Sequence, residues 1–365
     1  MNIAYIAETS LTNKSAYTHH VIKMCDAFSQ ECKHVTLFIP SYHKKIKFSN
    51  LKKNFLLSSK KKFLIRSVLN FKPKNFISRS FFAFKISKYL KSCDYDIILT
   101  RSFISSIFLS IFNINHYLEI HSELKSITKF LMINLNFINS KYIIKKILIS
   151  KALNKIYKIK KNELLILHDA VDVKNFKKKI IEKKITRAAY VGSFYKGRGI
   201  EIIKELSKQF KNVKFYLYGQ KNFLNVNSSN LKFFNYVEYK KVPKILSKAQ
   251  LLLMPYAENV SVRAKNINTA NYCSPLKMFD YLASGKIIMS SKLEGICEIL
   301  KHKKNAIIVK KYKKEEWIKE FQKLINNKYD LKKISQNSIY TADKNTWNLR
   351  VLKIIKSYKH FYNKI

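Results

Sequence analysis

The sequence predicts an α/β protein built as two doubly wound parallel-sheet domains facing a cleft. Short apolar runs alternate with longer amphipathic ones, the rhythm of strands joined by crossover helices. That rhythm occurs twice along the chain. The length of 365 residues also exceeds what one hydrophobic core usually organises.

In the first half, strands are expected at Asn2–Ile6, His34–Ile39, Ile97–Thr100, His116–Ile120, 146–149 and 164–167, with helices between them, notably 17–29. The uncharged run 102–118 is long enough to suggest a membrane span, but it carries Ser, Asn and His and reads as a buried helix followed by a strand. In the second half, strands are expected at 188–191, 213–218, Leu251–Met254, 287–290 and 306–309. The accompanying helices should start near Gly199, Val242, Pro275, Gly295 and Glu315. Between the halves, DVKNFKKKIIEKKITR has no apolar period and reads as a solvated linker. The expected organisation is therefore an N-terminal domain at 1–175, a C-terminal domain at 176–345 and a last helix at 346–365 packing back across the two. Ligands of open parallel sheets sit at the carboxyl ends of strands, which makes the cleft the expected site.

Composition narrows the class. Hydrophobic residues make up 47% of the chain, enough to fill two cores, while 71 Lys and Arg against 23 Asp and Glu leave a net charge of +48. A nucleic-acid partner, an anionic membrane and compositional drift of solvated positions each account for such a charge. The lysines are scattered from end to end, as drift predicts. Cys25, Cys32, Cys93, Cys273 and Cys297 are odd in number and form no CxxC pair, which argues against a disulfide framework or zinc site and fits a reducing cytoplasm. The opening MNIAYIAE has neither a basic stretch nor a cleavage site, and no signal peptide is expected.

Two segments are suited to holding an anion. In SPLKMFDYLASGK, Ser274 is a good N-cap, Pro275 suits the first helical position, and Gly285 suits the residue after the helix. The N–H groups of Leu276 and Lys277 would then point out at the positive end of the helix dipole, and the Lys277 ammonium adds a full charge, a place for phosphate. Asp280, one turn further on, could accept hydrogen bonds from a ribose. An ordinary capped helix explains the same residues. In YVGSFYKGRGIE, Gly192 and Ser193 permit close approach to an anion while Lys196 and Arg198 supply charge. A plain strand-to-helix turn is the competing reading, since neither GxxxxGK[ST] nor GxGxxG is present. In the first half, His121 and Arg101 each follow a strand and would face the cleft. A lone histidine in such a place is more often a satisfied structural residue, and His19 and His20 carry less weight still. No nucleophile elbow and no Asp or His spacing typical of metal ligands is present.

These residues give the chain its resemblance to a known family. TRS at Thr100, YLEIHSE at Tyr117, HDAVDVKNF at His168, YVGSFYKGRGIE at Tyr190, LLLMPY at Leu251, SPLKMFDYLASGKIIMSS at Ser274 and the late Trp347 resemble glycosyltransferase family 4 (group 1) proteins, particularly those of bacterial surface-polysaccharide synthesis. The resemblance implies the GT-B fold, with two Rossmann-like domains. It also implies retaining transfer from a nucleotide sugar without a chelating metal or other cofactor. By resemblance, the Gly192–Ser193 turn with Arg198, together with Lys277 and the adjacent amides at Leu276, holds the diphosphate, and Lys196, Ser274, Pro275, Asp280 and Glu298 complete the donor-binding set. Arg198 and Lys277 stabilise the leaving group, and Arg101 and His121 lie on the acceptor side, His121 positioning substrate for catalysis. Asp280 matches the second acid of the family's E-x7-E motif, whose first position is Tyr272 here, and Glu298 matches a further recurring acid.

The acceptor implied is a glycan or a lipid-linked sugar. Between residues 43 and 93, lysines such as Lys44, Lys45, Lys52 and Lys60 are interleaved with Phe55, Phe63 and other aromatics, a composition suited to peripheral contact with the cytoplasmic face of an anionic membrane. A sugar-nucleotide epimerase of the same architecture is an alternative. So is a basic nucleic-acid binder, although no nucleic-acid-binding signature is present.

Overall fold

The protein, a computed structural model, is described at residues 1–12, 15–41, 47–178, 180–181, 184–219, 228–262 and 265–363. Two compact units emerge. One comprises residues 1–149, 153–168 and 347–365, and the other 150–152 and 169–346. The division thus falls at Asp169, and the last helix belongs with the first unit.

The N-terminal unit runs β1 (Asn2–Ile6), α1 (Ala16–Glu31), β2 (His34–Ile39), α2 (Phe48–Phe55), β3 (Leu64–Ser67), α3 (Phe76–Lys91), β4 (Ile97–Thr100), α4 (Phe103–Ile111), β5 (His116–Ile120), α5 (Ser126–Lys129), β6 (Ile143–Leu148), α6 (Lys151–Tyr157) and β7 (Leu164–Ile166). Its strands form one parallel sheet in the order β3-β2-β1-β4-β5-β6-β7. The central strand β1 pairs with β2 and with β4, Ile3 lying opposite Val35 on one side and Ile97 on the other. Helices cover both faces, which is why the central strands read as continuous apolar runs and Ile3, Ala4, Tyr5 and Ile6 are wholly buried. The run 102–118 is indeed a helix followed by a strand. Edge strand β3 escapes sequence reading because LIRS is half exposed and needs no apolar run.

The C-terminal unit runs β8 (Arg187–Val191), α7 (Ile200–Gln209), β9 (Lys214–Tyr218), β10 (Leu231–Phe234), α8 (Val242–Ser247), β11 (Leu251–Met254), the hairpin strands β12 (Ser261–Val262) and β13 (Lys265–Asn268), α9 (Leu276–Ala283), β14 (Ile287–Ser291), α10 (Glu294–Cys297), β15 (Ile307–Val309), α11 (Lys314–Ile325) and α12 (Leu331–Asp343). The helix α13 (Trp347–Tyr362) follows and packs with the first unit. The parallel sheet is ordered β10-β9-β8-β11-β14-β15. Trp317, Phe321 and Leu324 of α11 close one face against Phe215 and Leu217 of β9. Met278, Phe279 and Leu282 of α9 close the other.

The segment after residue 171 is not the solvated linker its lysines suggest. Phe176, Ile181 and Ile185 are buried in the C-terminal cores, and the Ile181 N–H donates to Ser335 Oγ at 3.1 Å. Their spacing follows neither a helix nor a strand, so a periodicity search passes over them.

In both sheets the chain winds outward in opposite directions from one pair of strands, β1 and β4 in the first and β8 and β11 in the second. The carboxyl ends of such a pair leave a crevice that no crossover helix covers.

Candidate active site

In the C-terminal unit, the crevice beyond β8 and β11 is lined by the two segments singled out from the sequence. After Val191, whose N–H donates to Tyr281 Oη at 2.9 Å, the backbone turns at Gly192 with φ +153°. A Cβ there would sit 2.5 Å from Lys277 Nζ and 3.0 Å from its Cε, so glycine is what lets α9 bring its lysine against the end of β8. The Gly192 N–H is itself committed to the Tyr218 carbonyl at 2.9 Å, and Tyr190 Oη donates to the Ser193 carbonyl at 2.8 Å. This turn therefore supplies space more than hydrogen-bond donors. Lys196 is exposed at its tip.

Lys277 and Arg198 meet in this crevice over two tyrosines. Lys277 Nζ lies 3.7 Å from the centre of the Tyr190 ring and 5.3 Å from that of Tyr256, while the Arg198 guanidinium stands 4.7 Å from the Tyr256 ring centre. Lys277 Nζ and Arg198 Nε are buried and have no hydrogen-bond partner among the described residues. Burial, and secondarily the neighbouring guanidinium, hold the Lys277 ammonium well below the ordinary lysine range. Two cations side by side over tyrosines, the Arg198 guanidinium also bonded to the Tyr256 side chain, are a poor arrangement by themselves. An anion bridging them would satisfy both.

Helix α9 starts one residue later than expected. Pro275 is the N-cap, with φ −75° and ψ 130°, and contributes no side-chain bond, whereas Leu276 is the first helical residue. Ser274 does not cap the helix. Its buried hydroxyl accepts the Asp169 N–H at 3.2 Å and fastens the chain where it enters the unit. The N–H groups of Leu276 and Lys277 are still those at the start of the helix, without intrahelical acceptors. Gly285 follows the helix at φ +66°, as its position suggested.

The acidic candidates are bound within the protein. Asp280 Oδ1 accepts from Tyr239 Oη at 2.9 Å. Glu298 spans the start of α6, its two oxygens accepting the N–H groups of Lys151 and Ala152 at 2.8 Å each. Tyr272 is buried at 1% exposure, with its carbonyl accepting from Ser150 Oγ at 2.9 Å.

In the N-terminal unit, Glu119 lies at the end of β5 with no exposed side-chain surface. Its Oε1 lies 2.6 Å from Arg350 Nη2, 2.9 Å from His20 Nε2 and 3.0 Å from His121 Nε2, and its Oε2 accepts from Tyr5 Oη at 2.9 Å. The rings of His20 and His121 meet edge to face at 4.8 Å, and Trp347 meets His20 in the same way at 5.0 Å. Burial by itself raises the Glu119 carboxyl, but His20, Arg350 and His121 outweigh it and hold the group well below the usual carboxylate range. Burial, followed by the Arg101 charge, pushes the His121 imidazole down to about 3. The Arg101 guanidinium stands over the Tyr17 ring at 4.2 Å.

This cluster was missed in the sequence, where no acidic and histidine spacing suggested one. Two ring nitrogens, from His20 and His121, and a Glu119 carboxylate oxygen lie within 4.8 Å of one another, brought together from α1 and the end of β5 by the fold. The cation that meets Glu119 is Arg350. Tyr190 and Tyr256 were missed too, although each sits at or just beyond the end of a strand flanking the crevice.

Residues 186–327, all within the C-terminal unit, match the family model described as glycosyl transferases group 1. No curated protein matches the chain significantly by sequence. Among solved structures, a glycosyltransferase from Rickettsia africae aligns with a TM-score of 0.74 at 13% identity, covering 98% of each chain. HepE of Anabaena, solved with UDP, aligns at 0.72 and 12% identity over 98% of this chain and 100% of that one. The lipopolysaccharide outer core galactosyltransferase WaaB aligns at 0.67 and 12% identity over 100% of both. The fold is GT-B. The chain carries a group 1 glycosyltransferase domain and is a glycosyltransferase.

Proposed function

We propose that the protein transfers a sugar from a nucleotide-sugar donor, with retention and without a chelating metal, to a glycan or lipid-linked acceptor in cell-surface polysaccharide assembly. The observation that carries this reading is the pair Lys277 and Arg198, whose Nζ and Nε are buried at the crevice of the C-terminal sheet with no hydrogen-bond partner among the described residues. That HepE, of the same fold, was solved with UDP supports a nucleotide in this crevice.

Breaking the bond between the anomeric carbon and the phosphate oxygen puts positive charge on the carbon and negative charge on the departing diphosphate. Stabilising that diphosphate is the main task, and Lys277, Arg198 and the N–H groups at the start of α9 are the groups to do it. The acceptor hydroxyl then forms the new bond on the face the diphosphate leaves, and its proton passes to a phosphate oxygen. His121 orients the acceptor.

Lys277→Ala and Arg198→Ala should each raise donor KM or lower turnover at least about tenfold, and unchanged kinetics in both would overturn the reading. Retention is read from the anomeric proton couplings of the product, and metal independence from activity in excess chelator. Thermal shifts with UDP-, GDP- and ADP-sugars identify the base.

Membrane contact on the cytoplasmic face is the further part of the proposal. Phe71, Ile77, Phe81 and Phe84 are exposed near Lys72, Lys85 and Lys88 in and before α3, whereas Lys44 and Lys45 lie outside the described residues. None of the described helices is long and apolar enough to cross a membrane. Equal flotation with neutral and anionic liposomes would remove this part.

A further inference from the structure

Glu119 accepts hydrogen bonds from Arg350, His121 and Tyr5, with His20 Nε2 2.9 Å from its Oε1, and of these groups only Arg350 carries a permanent charge. The arginine is fixed in the fold. Its Nε donates to the His168 carbonyl at 2.9 Å, its Nη2 to the Leu167 carbonyl at 3.0 Å, and its side chain is 3% exposed. One buried carboxylate therefore faces one buried guanidinium. Such a pair is self-neutralising, and His121 need not take up a proton to balance it.

The geometry also fixes the tautomer of His121. Because Nε2 lies 3.0 Å from a carboxylate oxygen, it carries the hydrogen and donates it. Nδ1 is left as the acceptor. The side chain is 19% exposed, so it is within reach of a ligand, while Glu119 beneath it is not.

We infer that Arg350, acting through Glu119, holds His121 as a neutral, Nε2-protonated imidazole whose Nδ1 accepts a hydrogen bond from an acceptor hydroxyl beside the attacking one. The inference rests on the reading of His121 as an acceptor-side residue, and it makes Arg350 and Glu119 positioning residues. The charged and titratable groups facing the cluster are Tyr5 of β1, Tyr17, His20 and Cys25 of α1, Arg101 after β4, Glu119 and His121 at the end of β5, and Arg350 of α13. Of these, Arg350 alone both touches Glu119 and cannot lose its proton.

Removing the guanidinium leaves Glu119 buried without its permanent counter-charge, and it then draws a proton onto the His121 imidazole bonded to it. An imidazolium donates from both nitrogens, and the Nδ1 acceptor is lost. The sign is fixed: without Arg350 the histidine pKa rises, and activity falls as pH drops through the raised value.

The test uses the full chain and three variants. Arg350→Gln should lower kcat/KM for the acceptor about tenfold at pH 6, chiefly through KM, and return to within about threefold of wild type at pH 8.5. Arg350→Lys should restore the profile at pH 6. Long-range 15N–1H spectra of histidine-labelled protein, with His121 assigned by its loss in His121→Ala, should show one neutral Nε2–H tautomer from pH 5 to 8 in the wild type. In Arg350→Gln the same signals should titrate within that range. A pH profile and His121 spectrum of Arg350→Gln identical to wild type would overturn the inference. Those spectra report even where the variant is poorly active. His121→Ala separates this from the underlying reading: an unchanged acceptor KM there would mean that His121 does not serve the acceptor at all.

Discussion

Replacing Lys277 by Met separates what this side chain costs the fold from what it gives the ligand. The ammonium is buried over Tyr190 and Tyr256 with no hydrogen-bond partner among the described residues, and Met matches its length without the charge. Two terms oppose each other in the unliganded protein. Removing a desolvated, unpaired cation gains about 1–3 kcal/mol, while losing its contact with the tyrosine rings costs about 1–2 kcal/mol. The unliganded variant should therefore lie between about 1 kcal/mol less and about 2 kcal/mol more stable than wild type. Binding moves the other way, because a charged hydrogen bond to the diphosphate is worth about 1.5–3 kcal/mol, which corresponds to roughly 10- to 150-fold in Kd. Urea unfolding without ligand, together with calorimetric titration of the nucleoside diphosphate that stabilises the wild type, measures both. A variant destabilised by more than about 1 kcal/mol, or one that keeps wild-type affinity, would refute the reasoning.

The depressed Lys277 pKa makes binding pH-dependent. An anion restores the charged form, so binding above the folded value takes up about one proton, and Kd should rise by up to about tenfold per pH unit. Titrations in buffers of different ionisation enthalpy detect that proton; Lys277→Met should show none. Between the depressed folded value and the ordinary 10.5, the unfolded chain holds a proton the folded protein lacks, so unliganded stability should rise with pH in that window, and less so in Lys277→Met. Gly192→Ala puts an L side chain at φ +153° with its methyl 2.5 Å from Lys277 Nζ, and should weaken diphosphate binding about tenfold and cost about 1–3 kcal/mol in unfolding, as measured by calorimetry and urea melts. Glu298→Ala removes the acceptor for two N–H groups at the start of α6 and should cost about 1–2 kcal/mol in denaturant unfolding. An unaltered unfolding curve with a raised donor KM would assign Glu298 to the donor instead.

Strands buried on both faces were legible as apolar runs, and four of the first unit's seven, β1, β2, β4 and β5, have the expected limits. Lys277 and Arg198 stood out at strand-to-helix junctions, but an ordinary capped helix and a plain turn explain those residues as well, and it was the family resemblance that chose between the readings. Edge strands β3 and β10 were not, since a strand paired on one side needs no continuous apolar stretch. Ser274 shows the limit of local rules. It is a good N-cap by residue type, yet its hydroxyl accepts a bond from Asp169, a residue far away in sequence.

The chain by itself determined two parallel-sheet domains and a cationic strand-to-helix junction, because periodicity and capping act between near neighbours. Tertiary structure alone decided what those cations face and what holds His121. Tyr190 and Tyr256 come to Lys277 from separate strand ends, and His20, Glu119 and Arg350 come from α1, β5 and α13. The bond between Arg350 and Glu119 spans 231 residues of sequence. A buried carboxylate selects its partner by distance in space, and no spacing along the chain records that choice.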